Sequence, residues 1–282
     1  MVRMKRTDKD FYKASLRNER FVSRISTRIW SESPSPDNPY VAEHIYCHGY
    51  DIFELINKRS FVDVLYLLFQ GELPNKAQSQ LLEALFIGMI NPGPRHPATR
   101  AAMNAGIGKT DIAHILPISL MTLGGAYSGG NEVVASMRFL NKHSRKSPQE
   151  VAHEVIKELS QPNEGDCHIA PGFGTRYNSI DIISTKLAQH LSQLPGSGNV
   201  LKWGSKFVLQ LEEQCGCGWL STGVAAAVLS DLGFHPRTGA GLYQLLNAPG
   251  VLAHGLEMSN KPLTSMPFID NDHYIIETKS EK

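Results

Sequence analysis

Apolar residues recur at helical spacing almost everywhere along the chain. After Ser60, residues Phe61, Val64, Leu65 and Leu68 fall at i, i+3, i+4 and i+7, which predicts a helix with one apolar face. Gly71 ends it, and Pro74 marks the turn that follows. Leu81, Leu82, Leu85, Phe86 and Met89 make the stripe of the next helix. The run Ser147-Pro148-Gln149-Glu150 offers a Ser cap, a proline at the first position and a Glu to close a capping box. Val151, Val155, Ile156 and Leu159 supply that helix with a buried face. Further helices are predicted around Ile183/Leu187/Leu191, Trp203/Phe207/Leu211 and Val224/Val228/Leu229, the last stopped by Gly233. Strand-like alternation is confined to His44–Tyr46 and the tail His273–Ile276. The fold class is all-α.

Three Gly/Pro-rich loops interrupt the helices: Asn91–Pro97, Gly124–Gly130 and Pro171–Gly174. Backbone approaches a ligand closely at such places, yet plain turns have the same composition, and spacing alone divides the two readings evenly. The 282 residues suit one large or two modest domains, and 41% apolar with 20% charged residues is ordinary for a soluble protein with a sizeable core. Lys plus Arg is 28 against 27 Asp plus Glu, so the basic excess of a nucleic-acid binder is missing. The one basic cluster, Arg3 to Arg28, reads as a solvated helical arm. No apolar run has the roughly 18 residues of a membrane helix, and the charged N-terminus offers no signal peptide, so a cytoplasmic protein is expected. Cys47, Cys167, Cys215 and Cys217 read as reduced thiols. Cys215-Gly-Cys217 is too tight for a zinc pair, and the eleven histidines give no metal-ligand spacing.

Several segments in order resemble citrate synthase and the citryl-CoA lyases. They are His48-Gly-Tyr-Asp-Ile-Phe-Glu-Leu55 with Ser60-Phe61 and Tyr66-Leu-Leu-Phe-Gln-Gly-Glu-Leu-Pro74; Pro94-Arg-His-Pro-Ala98; Leu123-Gly-Gly-Ala-Tyr-Ser-Gly-Gly-Asn-Glu132; Pro171-Gly-Phe-Gly-Thr-Arg176; and Pro249-Gly-Val-Leu-Ala-His-Gly-Leu-Glu257. The resemblance runs from about residue 44 to 262. It implies a large helical domain of residues 1–134 and 236–282, with an N-terminal arm of about 40 residues, and a smaller helical domain of residues 135–235. It further implies a homodimer whose interdomain cleft closes on an acyl-CoA and an oxo acid. The CoA thioester would be a substrate, with no permanently bound cofactor, nucleotide or metal.

The family's reaction uses a carboxylate base and two histidines that face developing oxyanions. At the positions of the two histidines this chain has Ser128, beside Tyr127, and Thr175; at the carboxylate's position it has Thr222. A hydroxyl can donate to an enolate, but its pKa is far too high for a base near neutrality. The family's carboxylate-clamping arginines correspond to Asn247 and, approximately, Ile183. What remains is Gly172, Phe173, Gly174 and Arg176 to meet the CoA moiety, and His96 near the family's substrate-binding histidine, a position for which Arg95 competes. His254 matches the histidine of the last segment and reads foremost as structural. Cys167 reads as a small buried hydrophobe ahead of a thiolate nucleophile. Three readings follow: an acyl-CoA enzyme with altered catalytic groups; a catalytically inactive homologue that binds a CoA ester or partners a competent paralogue; or an ordinary synthase or lyase in which His96, His168 and Asp181 converge.

Overall fold

The helical spacing becomes eleven α-helices among the residues that the computed structural model describes, 20–158 and 165–276. The greater part of the predicted basic arm, and Leu159, lie outside them. The described residues up to Asp51 form one unit and those from Ile52 onward a second.

In the first unit β1 (Trp30–Pro34), β2 (Ala42–Cys47) and β3 (Tyr50–Asp51) make an antiparallel sheet in that order. Trp30 faces Cys47, and Tyr46 faces Asp51. His48 and Gly49, with φ of 48° and 86°, form the two-residue turn that a tight hairpin requires. The predicted strand at His44–Tyr46 lies inside β2. The expected strand at His273–Ile276 is instead irregular, with no partner strand among the described residues.

The second unit opens with α1 (Ile52–Lys58), α2 (Phe61–Gln70) and α3 (Lys76–Gly88). Ser60 and Asp63 cap α2 reciprocally, each side chain accepting the other's backbone N–H at 3.2 Å, and Gly71 closes it at φ 79°. The predicted face of α2 is turned by about one residue. Phe61 is 76% exposed, and Val62, Leu65 and Tyr66 point inward. Phe61–Phe69 is apolar nearly all round, so spacing does not select a side, whereas the Asp63–Ser79 hydrogen bond (2.5 Å) fixes one. In α3, Leu81, Leu82 and Leu85 are buried as predicted.

Next come α4 (Pro97–Ile107), α5 (Ile112–Leu123), α6 (Gly130–His143) and α7 (Pro148–Glu158), the last beginning at the predicted proline. After Gly165 a looped segment carries β4 (Phe173–Gly174), then α8 (Ile182–Ser192) and α9 (Asn199–Cys215). β5 (Gly218–Trp219) pairs with β4, and α10 (Ser221–Asp231) and the long α11 (Pro236–Ser259) complete the unit. In α8 the inward face is Ser184, Ala188 and Leu191; Ile183, expected inside, is exposed because the Asp181 cap sets the helix phase.

The centre is α10, buried from Thr222 to Leu229 and packed by α6, α9 and α11. A helix apolar all round is what a buried central position needs. Beside it Phe173 stands edge-on to Phe207 (4.9 Å between centroids) and lies 4.7 Å from Trp219, while Trp203 stacks on Phe207 at 5.1 Å. Asp231, at the end of α10, accepts the backbone N–H groups of Gly198, Val200 and Leu201 and so caps α9.

Candidate active site

Two adjoining cavities, sharing Ser128, Arg176, Asp181 and Ser221, gather the residues that the sequence singles out. The larger, about 270 Å³, also takes lining from Asn91, His96, Ile183, Tyr243 and Asn247. The smaller, about 40 Å³, is lined by Ser128, Asp166, His168, Thr175, Arg176 and Thr222 among others, and has room for one water-sized group.

Each wall has a local cause. His96 is the N-cap of α4, with Pro97 at the first helical position; its Nδ1 accepts the Ala98 N–H at 3.1 Å. That leaves the proton on Nε2, which donates to the Ser128 carbonyl at 2.9 Å. Burial lowers the His96 pKa, and the Arg176 charge lowers it further against the opposing Ser128 hydrogen bond. His96 is therefore a neutral imidazole with both nitrogens engaged, holding the glycine-rich loop to α4.

The loop is held from its other side too. The Ser128 N–H donates to Glu132 Oε2 at 2.6 Å, and Glu132 sits in the first turn of α6, 4% exposed, where the helix dipole favours a carboxylate. With its peptide clamped at both ends, Ser128 stays at φ 55°, a left-handed conformation that is strained for a residue with a Cβ. Oε1 of Glu132 lies 3.6 Å from Nδ1 of His168, whose ring packs 4.3 Å from that of Tyr127.

Arg176 is presented by a two-residue turn, Tyr177 and Asn178 at φ 53° and 57°. Asp166 Oδ1 accepts the Asn178 N–H at 2.7 Å and the Thr175 hydroxyl at 3.4 Å. Burial pushes the Asp166 carboxyl up, but these hydrogen bonds, another from Tyr177 N–H and nearby His168 prevail and hold it below its ordinary value. Thr175 Oγ1 also accepts the Cys167 N–H at 2.9 Å. Arg176 Nη1 lies 3.6 Å from Asp181, whose carboxylate accepts the Ile183 and Ser184 N–H groups at 3.1 Å to cap α8.

The floor comes from α10 and α11. Tyr243 and Ser221 exchange a hydrogen bond at 3.3 Å, and burial pushes the Tyr243 phenol up. Pro249 lies inside α11, and beside it Gly250 N–H donates outside the helix, to the Ile90 carbonyl, at 2.9 Å. One turn earlier Asn247 lines the cavity with Nδ2 on the Tyr243 carbonyl. Thr222 Oγ1 is fully buried and has no hydrogen-bond partner among the described residues.

Ser128, Thr175 and Thr222 thus meet on one cavity, and His96 lies on its neighbour. Among the residues expected to meet CoA, Arg176 alone lines either cavity. Gly172, Phe173 and Gly174 are packed inside: a Cβ on Gly172 would meet Gly223 Cα at 2.5 Å, Phe173 is fully buried, and the Gly172 carbonyl accepts the Leu220 N–H at 3.0 Å. Their glycines serve close packing of the turn on α10. Asn247 and Ile183 both line the larger cavity. Cys167 lines neither; its sulfur lies 3.5 Å from Cys217, whose thiol is pushed up by burial first and by the Cys167 contact second. His254 sits 3.2 Å from the Asn91 amide. Sequence reasoning missed Glu132, Asp166, Ser221 and Tyr243. Only Glu132, four residues past Ser128 in a quoted motif, left a usable trace.

The α-helical core, with its buried central helix and the loops that border the two cavities, has the citrate synthase type of fold. Among solved structures, citryl-CoA lyase from Hydrogenobacter thermophilus superposes with a TM-score of 0.73 at 23% identity, over 92% of this chain and 96% of that one. ATP citrate lyase from Methanothrix soehngenii, in complex with citrate and coenzyme A, gives 0.71 at 16% identity over 93% of this chain, which spans 43% of that enzyme. Citrate synthase from Thermoplasma acidophilum, with carboxymethyl coenzyme A and oxaloacetate, gives 0.58 at 17% identity over 79% of this chain and 58% of that one. No protein-family model and no curated protein matches the chain. Among the described residues no helix is long and apolar enough to cross a membrane.

Proposed function

We propose that the chain is a citrate synthase-like enzyme that forms or cleaves a carbon–carbon bond between an acyl-CoA and an oxo acid, using altered catalytic groups. The observation that carries this reading is the convergence of Ser128, Thr175 and Thr222 on a single water-sized polar cavity lined by Arg176, within a fold shared with citryl-CoA lyase and citrate synthase. The relatives' ligands, CoA compounds with citrate or oxaloacetate, are of the corresponding chemical class. Here the hydroxyls of Ser128 and Thr222 donate to oxygen as charge develops on it, Thr175, bonded to Asp166 and the Cys167 N–H, braces the wall beside them, Arg176 meets an anionic group of the substrate, and His96 holds the loop that bears Ser128. The turn Gly172-Phe173-Gly174 fixes Thr175 and Arg176 rather than touching CoA itself.

The charged side chains lining the larger cavity are Arg176 and Asp181, already paired, while Asn247 and Ile183 stand where the family's arginines are expected. A dicarboxylate such as oxaloacetate suits this lining poorly; an oxo compound with at most one carboxylate suits it better. The CoA thioester is substrate, not resident cofactor. Residues 135–235 are the smaller domain in this reading: Arg176, Asp181, Ser184 and Ser221 line the cavity from it, and Asn91, His96, Ser128 and Tyr243 from the larger. Closure of one on the other would exclude water. The protein is then a cytoplasmic homodimer.

A second reading, an inactive homologue that binds a CoA ester or partners an active paralogue, is favoured by the threonine at the carboxylate's position. Calorimetric titration with CoA, acetyl-CoA and propionyl-CoA, followed by mass-spectrometric detection of the carbon–carbon-bonded hydroxyacyl-CoA with a panel of oxo acids, separates the two. Saturable binding with formation of that thioester, or its cleavage in reverse, is expected. Binding without turnover across the panel supports the inactive homologue, and no binding removes both.

A further inference from the structure

The three hydroxyls leave the site without a proton acceptor, and the carboxylates around it are committed elsewhere. Asp166 is held by amide and hydroxyl hydrogen bonds that depress its proton affinity, and Asp181 caps α8 and faces Arg176. His96 has both nitrogens in use. His168 is different. It lines the small cavity with Ser128, Thr175 and Thr222, its Nδ1 faces the buried Glu132 carboxylate at 3.6 Å, and Tyr127 packs against its ring. Its Nε2 has no hydrogen-bond partner among the described residues. Beside it, in the same cavity, the fully buried Thr222 hydroxyl lacks a partner as well. Unmet polar atoms on residues that line a water-sized space call for a ligand atom or water to complete them.

From this geometry we propose that His168, oriented through Nδ1 by Glu132, is the general base of the site, taking the role that a carboxylate at position 222 would otherwise fill. An imidazole whose Nδ1–H faces a buried carboxylate presents a lone pair on Nε2, and the carboxylate stabilises the imidazolium that forms. In the bond-forming direction Nε2 takes a proton from the α-carbon of the acyl thioester. The enolate then attacks the oxo carbon, and the resulting alkoxide takes a proton back from the imidazolium. In the cleaving direction Nε2 takes the proton of the β-hydroxyl, the carbon–carbon bond breaks, and the imidazolium protonates the enolate at carbon. Either way the base is restored and no co-reactant is consumed. His168 is the catalytic residue and Glu132 a positioning residue. Thr222 offers its hydroxyl to the thioester oxygen as the enolate charge forms.

This inference rests on the acyl-CoA reading, and one experiment separates their failures. Acetyl-CoA is incubated with the protein in deuterium oxide, and exchange of its α-protons is followed by NMR, with calorimetric binding measured in parallel. The wild type is expected to bind and to exchange. His168→Ala is expected to bind with similar affinity but exchange about 10²–10⁴-fold more slowly, and added imidazole should restore part of the loss. His168 is 29% exposed on its side chain, so truncation is tolerable for folding, and retained binding checks it. Glu132→Gln, which can still accept the Ser128 N–H, should give a smaller loss in rate with the apparent KM unchanged. If wild-type protein binds acetyl-CoA without exchange, or if His168→Ala exchanges as fast as wild type, the base assignment is overturned while the acyl-CoA reading stands. Absence of binding to wild type overturns both.

Discussion

The loop Gly124–Gly130 and the turn Gly172–Gly174 read alike in sequence, yet they do different work. In the turn, glycine is there because two backbones touch. Gly172 lies against Gly223 of α10, a Cβ on either would collide with the other, and the turn's backbone groups are bonded inside the protein. In the loop, Gly129 is also packed on backbone, a Cβ there meeting the Leu123 and Gly125 carbonyls at 2.6 Å, but the strained residue is Ser128, which has a side chain, and the strain is held in place by His96 on one side and Glu132 on the other. One region is a packing joint that keeps Thr175 and Arg176 in place. The other is a held loop that lines the cavity. Glycine content by itself marks irregular backbone; only burial and bonding tell which cause applies.

The sharpest way to break that contrast is a methyl group in each region. Gly172→Ala should cost about 3–5 kcal/mol or prevent folding, since the added Cβ meets backbone that cannot move aside. Gly125→Ala should cost about 0.5 kcal/mol or less, because a Cβ there would meet the Thr122 and Tyr127 carbonyls at 3.6 Å and 3.7 Å, ordinary contact. Urea denaturation of both variants reads the difference, and equal losses would erase the distinction between joint and loop.

Acid sharpens it further. Burial lowers the folded-state pKa of His96, with Arg176 contributing, so the unfolded chain binds a proton first as pH falls. Stability attached to this group is present above the ordinary imidazole value of about 6.5 and declines as pH drops below it. The urea midpoint should therefore fall between pH 7.5 and 5.5, and His96→Asn, which keeps a capping side chain, should flatten that slope. An unchanged slope would mean that another group controls the acid limb; His143, lowered by burial first and by Lys142 and Lys146, is the next to replace. The smallest effect expected is at Thr222. Thr222→Val removes a buried hydroxyl with no partner and should leave the free protein as stable or about 1 kcal/mol more stable in thermal melts. A clear loss would show that the hydroxyl is satisfied by bound water in the free state.

How far the sequence reached follows from the same physics. The faces of α9 and α10 were legible because Trp203, Phe207 and Leu211, and Val224, Val228 and Leu229, are large side chains on helices held from several sides. The face of α2 was not, since an almost wholly apolar segment carries no phase and a polar contact from α3 supplied it. Ser128, Thr175 and Thr222 were placed by motif order, and they share a cavity. The approach of Glu132 to His168 and of Ser221 to Tyr243 joins residues far apart in the chain, so periodicity holds no record of it. Gly172 and Gly174 look the same in sequence whether a ligand or a helix lies against them.

The cavity beside Arg176 must be a working CoA-thioester site if the chain acts on an acyl-CoA. Titrating acetyl-CoA into wild-type protein and into Arg176→Met tests that most directly, because Arg176 lines both cavities while its partly exposed side chain can be changed without emptying the core. Saturable binding to the wild type, weakened about tenfold or more in the variant, is the predicted result. Equal binding by the two proteins, or none by either, would contradict it.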